Sequence, residues 1–194
     1  EHFFSYFAQV HYNTFNKGYF PNQGADFKAG YSLYTDNMAK YKGHAPFSAL
    51  NASWVEAFQL TNRFALLPAI YGRVLIGRDI PYPYTNALGG NYFGRFISQQ
   101  MPFAGIDNIE IMKNSVVVGG LKLRQRLWTK HYISLTGNVA LTNNNFFDIL
   151  EDQCIYGFSL SYGIDSMFGP LEASLGYSNQ SKKAGFYVNL GFYF

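Results

Sequence analysis

Residues 184–194 read AGFYVNLGFYF, which places Phe186, Val188, Leu190, Phe192 and Phe194 on one face of an extended strand. Tyr187, Asn189, Gly191 and Tyr193 fall on the other. Side chains alternate across a strand with period two, so one face is wholly apolar and the other is small, hydroxylated or polar. Strands with apolar residues toward lipid and polar residues toward a lumen are the unit of a transmembrane β-barrel.

The same alternation recurs along the chain. Nine segments carry it: 2–14, 25–36, 47–60, 65–79, 115–128, 132–142, 154–165, 171–178 and 184–194. Most reach the length of about 9–11 residues that a tilted membrane strand requires. In 115–128, Val117, Leu121, Leu123 and Leu127 share the expected lipid face, while Lys122, Arg124 and Arg126 share the expected lumen face. In 154–165, Tyr156, Phe158, Leu160 and Tyr162 oppose Gly157, Ser159, Ser161 and Gly163. Segment 47–60 is rougher: Glu56 breaks the phase of Leu50, Ala52 and Trp54, which predicts a β-bulge. Tyr31, Tyr34, Trp128, Tyr132 and Tyr162 are expected in aromatic girdles at the membrane interfaces, although alternation also directs Tyr34 toward the lumen.

Composition agrees with this pattern. No run approaches the ~18–20 consecutive apolar residues of a membrane helix, although 48% of the 194 residues are hydrophobic. Only 14% are charged, against roughly 25% in a soluble globular domain. A soluble all-β sandwich would need more surface charge than that. A net charge of +3 with no Lys/Arg block longer than two residues argues against nucleic acid as a partner. The single Cys154 excludes an intrachain disulfide framework. No secretory signal is recognisable, because EHFFSYF already lies inside a strand pattern. The sequence is therefore expected to belong to something longer.

Short links (61–64, 129–131, 166–170) alternate with longer ones (37–46, 80–114, 143–153), as periplasmic turns alternate with extracellular loops in membrane barrels. The link 15–24 is long for a periplasmic turn. Nine is an odd number, whereas bacterial single-chain barrels use an even one and leave no edge in lipid. Either one segment is misread or further strands complete the barrel.

Residues 80–114 form one large loop, IPYPYTNALGGNYFGRFISQQMPFAGIDNIEIMKN, rich in glycine and aromatics. A loop longer than about 12–15 residues is usually functional or disordered. It holds Gly94-Arg95-Phe96, five strand segments follow it, and Phe194 is last. In this the chain resembles the C-terminal barrel half of the BamA/TamA-type outer-membrane surface-antigen superfamily. That family's sixth extracellular loop enters the lumen and carries an Arg-Gly-Phe/Tyr signature; here Gly94 precedes Arg95. The stretches GGNYFGRFISQQMPF and GPLEASLGYSNQSKKAGFYVNLGFYF look most like the barrels of Bacteroidetes patatin-like proteins. The resemblance implies strands eight to sixteen of a 16-stranded barrel, joined to an upstream lipid-hydrolase domain. It implies an acidic lumen partner for Arg95, for which Asp165 and Glu172 are the candidates. It also implies that the terminal strand, with Phe192 and Phe194, is the signal read by the barrel-assembly machinery.

Chemistry-bearing motifs are missing from the sequence. It contains no Gly-x-Ser-x-Gly elbow and no His-Glu-x-x-His, and the four histidines lack metal-ligand spacing. Nothing points to a catalytic residue, a metal or a cofactor. The row Lys122, Arg124, Arg126 either holds the long loop through acids such as Asp107 and Glu110 or favours anionic solutes, or else is ordinary polar lining paired with Glu172, Asp165 or Glu56. The expectation is an all-β, transmembrane antiparallel up-and-down β-barrel segment, integral to a bacterial outer membrane. Its expected partners are outer-membrane lipid, the barrel-assembly machinery and an upstream patatin-like domain that it anchors or helps translocate or insert. The alternatives are a stand-alone structural or adhesive barrel of eight or ten strands, or a small-solute pore.

Overall fold

A computed structural model describes residues 3–90, 99–106 and 110–191. In chain order the strands are β1 (Phe4–Asn13), β2 (Gly24–Thr35), β3 (Phe47–Gln59), β4 (Phe64–Ile76), β5 (Asn86–Leu88), β6 (Gln100–Met101) and β7 (Ile111–Lys113). They continue as β8 (Ser115–Trp128), β9 (His131–Asn143), β10 (Ile155–Ser166), β11 (Gly169–Ser178) and β12 (Ala184–Leu190). Nine of them form one antiparallel sheet in the order β1-β2-β3-β4-β8-β9-β10-β11-β12. The short β5, β6 and β7 form a separate three-stranded sheet inside the long loop. β1 and β12 are the edges of the large sheet and do not pair with each other, so it is open.

Each long strand has two unlike faces, as its sequence dictates. Along β10, Tyr156, Phe158, Leu160 and Tyr162 are exposed, while Ile155, Gly157, Ser161 and Gly163 are buried. On β9, Leu135 and Val139 point out, and Ser134, Thr136 and Asn138 are buried. Large apolar side chains left open in continuous rows mark a surface meant for a non-aqueous neighbour. The links 14–23, 60–63, 129–130 and 167–168 lie on one rim; 36–46, 77–114, 144–154 and 179–183 lie on the other.

Two local expectations are corrected. β3 carries no bulge at Glu56, because its register with both β2 and β4 is continuous. Glu56 stays in the outward row with Trp54 and Phe58, opposite Pro68, whose missing N–H leaves that rung of the ladder unmade. Near the short-turn rim a carboxylate on this face costs little compared with one at mid-membrane, and its outward position removes it as a partner for the basic row. The register shift lies instead in the β8–β9 ladder, between Arg126 and Trp128. Tyr132 is not in a girdle: it shares the inner face with Ser134 and is 4% exposed.

Candidate functional site

The inner wall of the sheet is a docking surface for the described residues of the long loop, 77–90, 99–106 and 110–114. Arg73 and Asn86 fix the loop's entry and exit. Arg73 Nη1 donates to the Tyr84 carbonyl at 2.9 Å and to Asn86 Oδ1 at 2.7 Å. Asn86 Nδ2 donates in turn to the carbonyls of Arg73 and Asn114, each at 2.8 Å. Asn86 is fully buried, where an unpaired amide would be costly, so these bonds specify one arrangement. Beside them Tyr84 packs into an aromatic cluster with Tyr34 and Phe47, at ring separations of 4.9 and 5.3 Å. Burial raises the Tyr84 pKa above its ordinary value.

Deeper in, Leu88, Met101, Phe103, Ile106 and Ile111 of the loop join Tyr71, Val116, Val118, Ala140 and Ile155 of the wall in one apolar core. The Tyr71 hydroxyl donates to the Pro102 carbonyl at 2.5 Å. Gly105 reaches furthest across the wall: its carbonyl accepts from Ser178 Oγ at 2.9 Å and from Ser181 Oγ at 2.8 Å. It fits because Gly157 and Gly176 carry no side chain where the backbone of 104–105 lies. Gly105 itself has φ 74°, a conformation suited to glycine.

The basic row faces inward but is not drawn into ion pairs with the long loop's described acid. Glu110 is exposed. Arg124, 7% exposed, donates from Nη1 to the Pro21 carbonyl at 2.9 Å and lies 5.3 Å from the centre of the Phe20 ring. Arg126 Nη2 donates to the Asn62 carbonyl at 2.9 Å. Both arginines therefore hold links on the short-turn rim. Lys122 and Glu172 line a common cavity of about 50 Å³ beneath residues 102–106. Asp165 stands at the rim, its backbone N–H donating to the Lys130 carbonyl at 2.8 Å.

Gly94, Arg95 and Phe96 lie outside the described residues, as do Asp107, Phe192 and Phe194. Sequence reasoning passed over Arg73, Asn86, Phe20 and the Ser178–Ser181 pair. A usable signal existed for the seat of Gly105: glycine or serine at every inward position from 157 to 163 leaves the wall low. Among the described residues no group of three His, Cys, Asp or Glu stands close enough to hold a metal ion.

An open sheet with a lipid-type outer face and a long loop packed on its inner face is the anatomy of an outer-membrane barrel with an occupied lumen. The sequence matches the family model of the OMP85 superfamily over residues 1–194. The chain belongs to the OMP85 superfamily. No curated protein matches it. The match covers every strand described above, and the nine-stranded antiparallel sheet has the architecture of an OMP85 outer-membrane β-barrel, within the BamA/TamA-type superfamily. Described residues of the long loop, from Leu88 and from 101–106, pack on the inner face of that sheet.

Proposed function

We propose that this chain supplies nine strands of a larger, closed OMP85 barrel of 16 strands, and that the barrel anchors an upstream patatin-like domain and helps translocate or insert it. The observation that carries the first half is the pair of unpaired edges, β1 and β12, in a sheet of odd strand number. An unpaired strand edge in lipid leaves several backbone groups without partners, each costing several kcal/mol, so those edges call for additional strands. The second half is supported by the likeness of residues 89–103 and 169–194 to barrels joined to patatin-type hydrolases. An inner face partly covered by described residues of the long loop favours anchoring or gated passage over a standing solute pore. Under the same proposal Arg95 pairs with Glu172, the buried acid of the wall, and the barrel-assembly machinery reads the strand ending in Phe192 and Phe194.

The test is heat modifiability in detergent, comparing boiled with unboiled samples of the full-length protein and of the 194 residues alone. The expected result is a compact, boiling-sensitive species for the longer form only. A compact species formed by the 194 residues alone would mean that they close into their own barrel, and the proposal would fall.

A further inference from the structure

Residues 14–23 join neighbouring strands β1 and β2, yet they touch β10. Five ladder steps separate β2 from β10, about 24 Å along the sheet at ~4.8 Å per step. The link thus crosses the lumen at the short-turn rim. Its own fold is stapled by Asn16, whose Nδ2 donates to Asn22 Oδ1 at 2.6 Å while its Oδ1 accepts the N–H groups of Asn22 and Gln23. Phe15 packs on Ala57, Ala65 and Leu67.

Phe20 is the far end of the link. It is 4% exposed, has φ 49° and stacks on Tyr132 at 4.5 Å with planes 10° apart. Arg124 lies against the same ring and binds the next carbonyl, that of Pro21. Gly163 completes the seat, because a Cβ there would come within 2.7 Å of the Phe20 ring. Three consecutive strands thus provide a cation, an aromatic face and a missing side chain, all directed at one phenylalanine. A cavity of about 690 Å³, lined in part by Phe20, Arg124, Lys122, Thr136 and Asn138, separates this link from Pro102 of the long loop.

We propose that residues 14–23 are a latch that closes the short-turn mouth of the lumen, with Phe20 as the bolt and Arg124, Tyr132 and Gly163 as the catch. The inference rests on the transmembrane-barrel reading above. The link and the described residues of the long loop, Pro102 among them, bound the cavity from its two sides. The pairing of Thr14 with Ala25 and of Asn16 with Gln23 lies outside the catch, so it can persist when Phe20 and Pro21 leave their seats.

The test uses the full-length protein with Cys154→Ser and a reporter, Thr136→Cys, in the wall of that cavity. The reaction rate of the reporter with a bulky maleimide measures entry. Two latch variants are compared with the parent: Phe20→Gly, and replacement of residues 15–24 by an Asn-Gly two-residue turn, which suits a tight hairpin. Both are expected to label several-fold faster than the parent. Should Phe20→Gly fail to fold, the shortened link decides alone. Parent-like labelling of a heat-modifiable shortened variant would overturn the latch, whereas a parent that is not heat-modifiable would instead overturn the barrel reading.

Discussion

The carbonyl oxygen of Ala104 occupies the space that a side chain on Gly157 would fill. Gly157→Val must therefore displace the long loop from the wall, a strain of about 1–3 kcal/mol by comparison with overpacked cores. Limited proteolysis is expected to cut residues 77–114 faster in this variant. Gly119→Val is the control, since a Cβ at Gly119 meets nothing within 4 Å and a β-branched residue suits a strand. Equal cleavage of the two variants would refute the docked position of the loop.

Asn86 makes three hydrogen bonds with no exposed surface. Asn86→Leu removes an acceptor from the Arg73 guanidinium and a donor from the carbonyls of Arg73 and Asn114, the latter still accepting from the Leu75 N–H at 2.8 Å. A buried guanidinium N–H left without its acceptor costs about 1–3 kcal/mol. The temperature at which the compact form is lost on a heat-modifiability gel is expected to drop by several degrees. An unchanged transition would show that the loop entry is not held by this side chain.

Ser178 and Ser181 donate to one acceptor, the Gly105 carbonyl. Either hydroxyl alone still satisfies that oxygen, so the double variant should cost more than Ser178→Ala and Ser181→Ala together, with Ser178→Ala the more destabilising single change because Ser178 Oγ also accepts the Ser181 N–H. A double-mutant cycle in urea measures the coupling, expected at about 0.5–3 kcal/mol for groups sharing a partner. Strict additivity would contradict the shared acceptor.

Leu160 lies midway along β10 on the outward row, 51% exposed. Arginine there would sit in hydrocarbon and cost about 2–4 kcal/mol at the midplane. Unfolding from lipid vesicles is expected to show Leu160→Arg well below Leu160→Ala in stability. If the two variants were equally stable, the row would not face lipid.

The strands were legible in the sequence because the period-two pattern is imposed by the contrast between lipid and lumen, which acts on every residue of a membrane strand. β10 follows its pattern from Tyr156 to Ile164. Where two constraints compete, the pattern misleads: Glu56 looked like a phase break, but its place near the rim tolerates a charge in the outward row. Tyr132 looked like a girdle residue by type, whereas parity with Ile133 and Leu135 sends it inward beneath Phe20. The loop's anchors were hidden for a different reason. Arg73, Asn86 and Ser178 act through backbone carbonyls remote in sequence, and a carbonyl has no letter to read. The link 15–24 announced itself only by being too long for its side of the membrane.

The strand order is sequential, so seven of the eight ladders in the large sheet join strands separated by a link of eleven residues or fewer. Only β4 and β8 must find each other across residues 77–114. Loop-closure entropy grows by about 0.6 kcal/mol per doubling of length, a modest equilibrium cost but a late encounter on the folding path. The sheet thus has two natural seeds, β1–β4 and β8–β12, each able to zip up hairpin by hairpin. The loop core that binds Tyr71 on β4 to Val116 and Val118 on β8 is the clasp that brings the seeds into register.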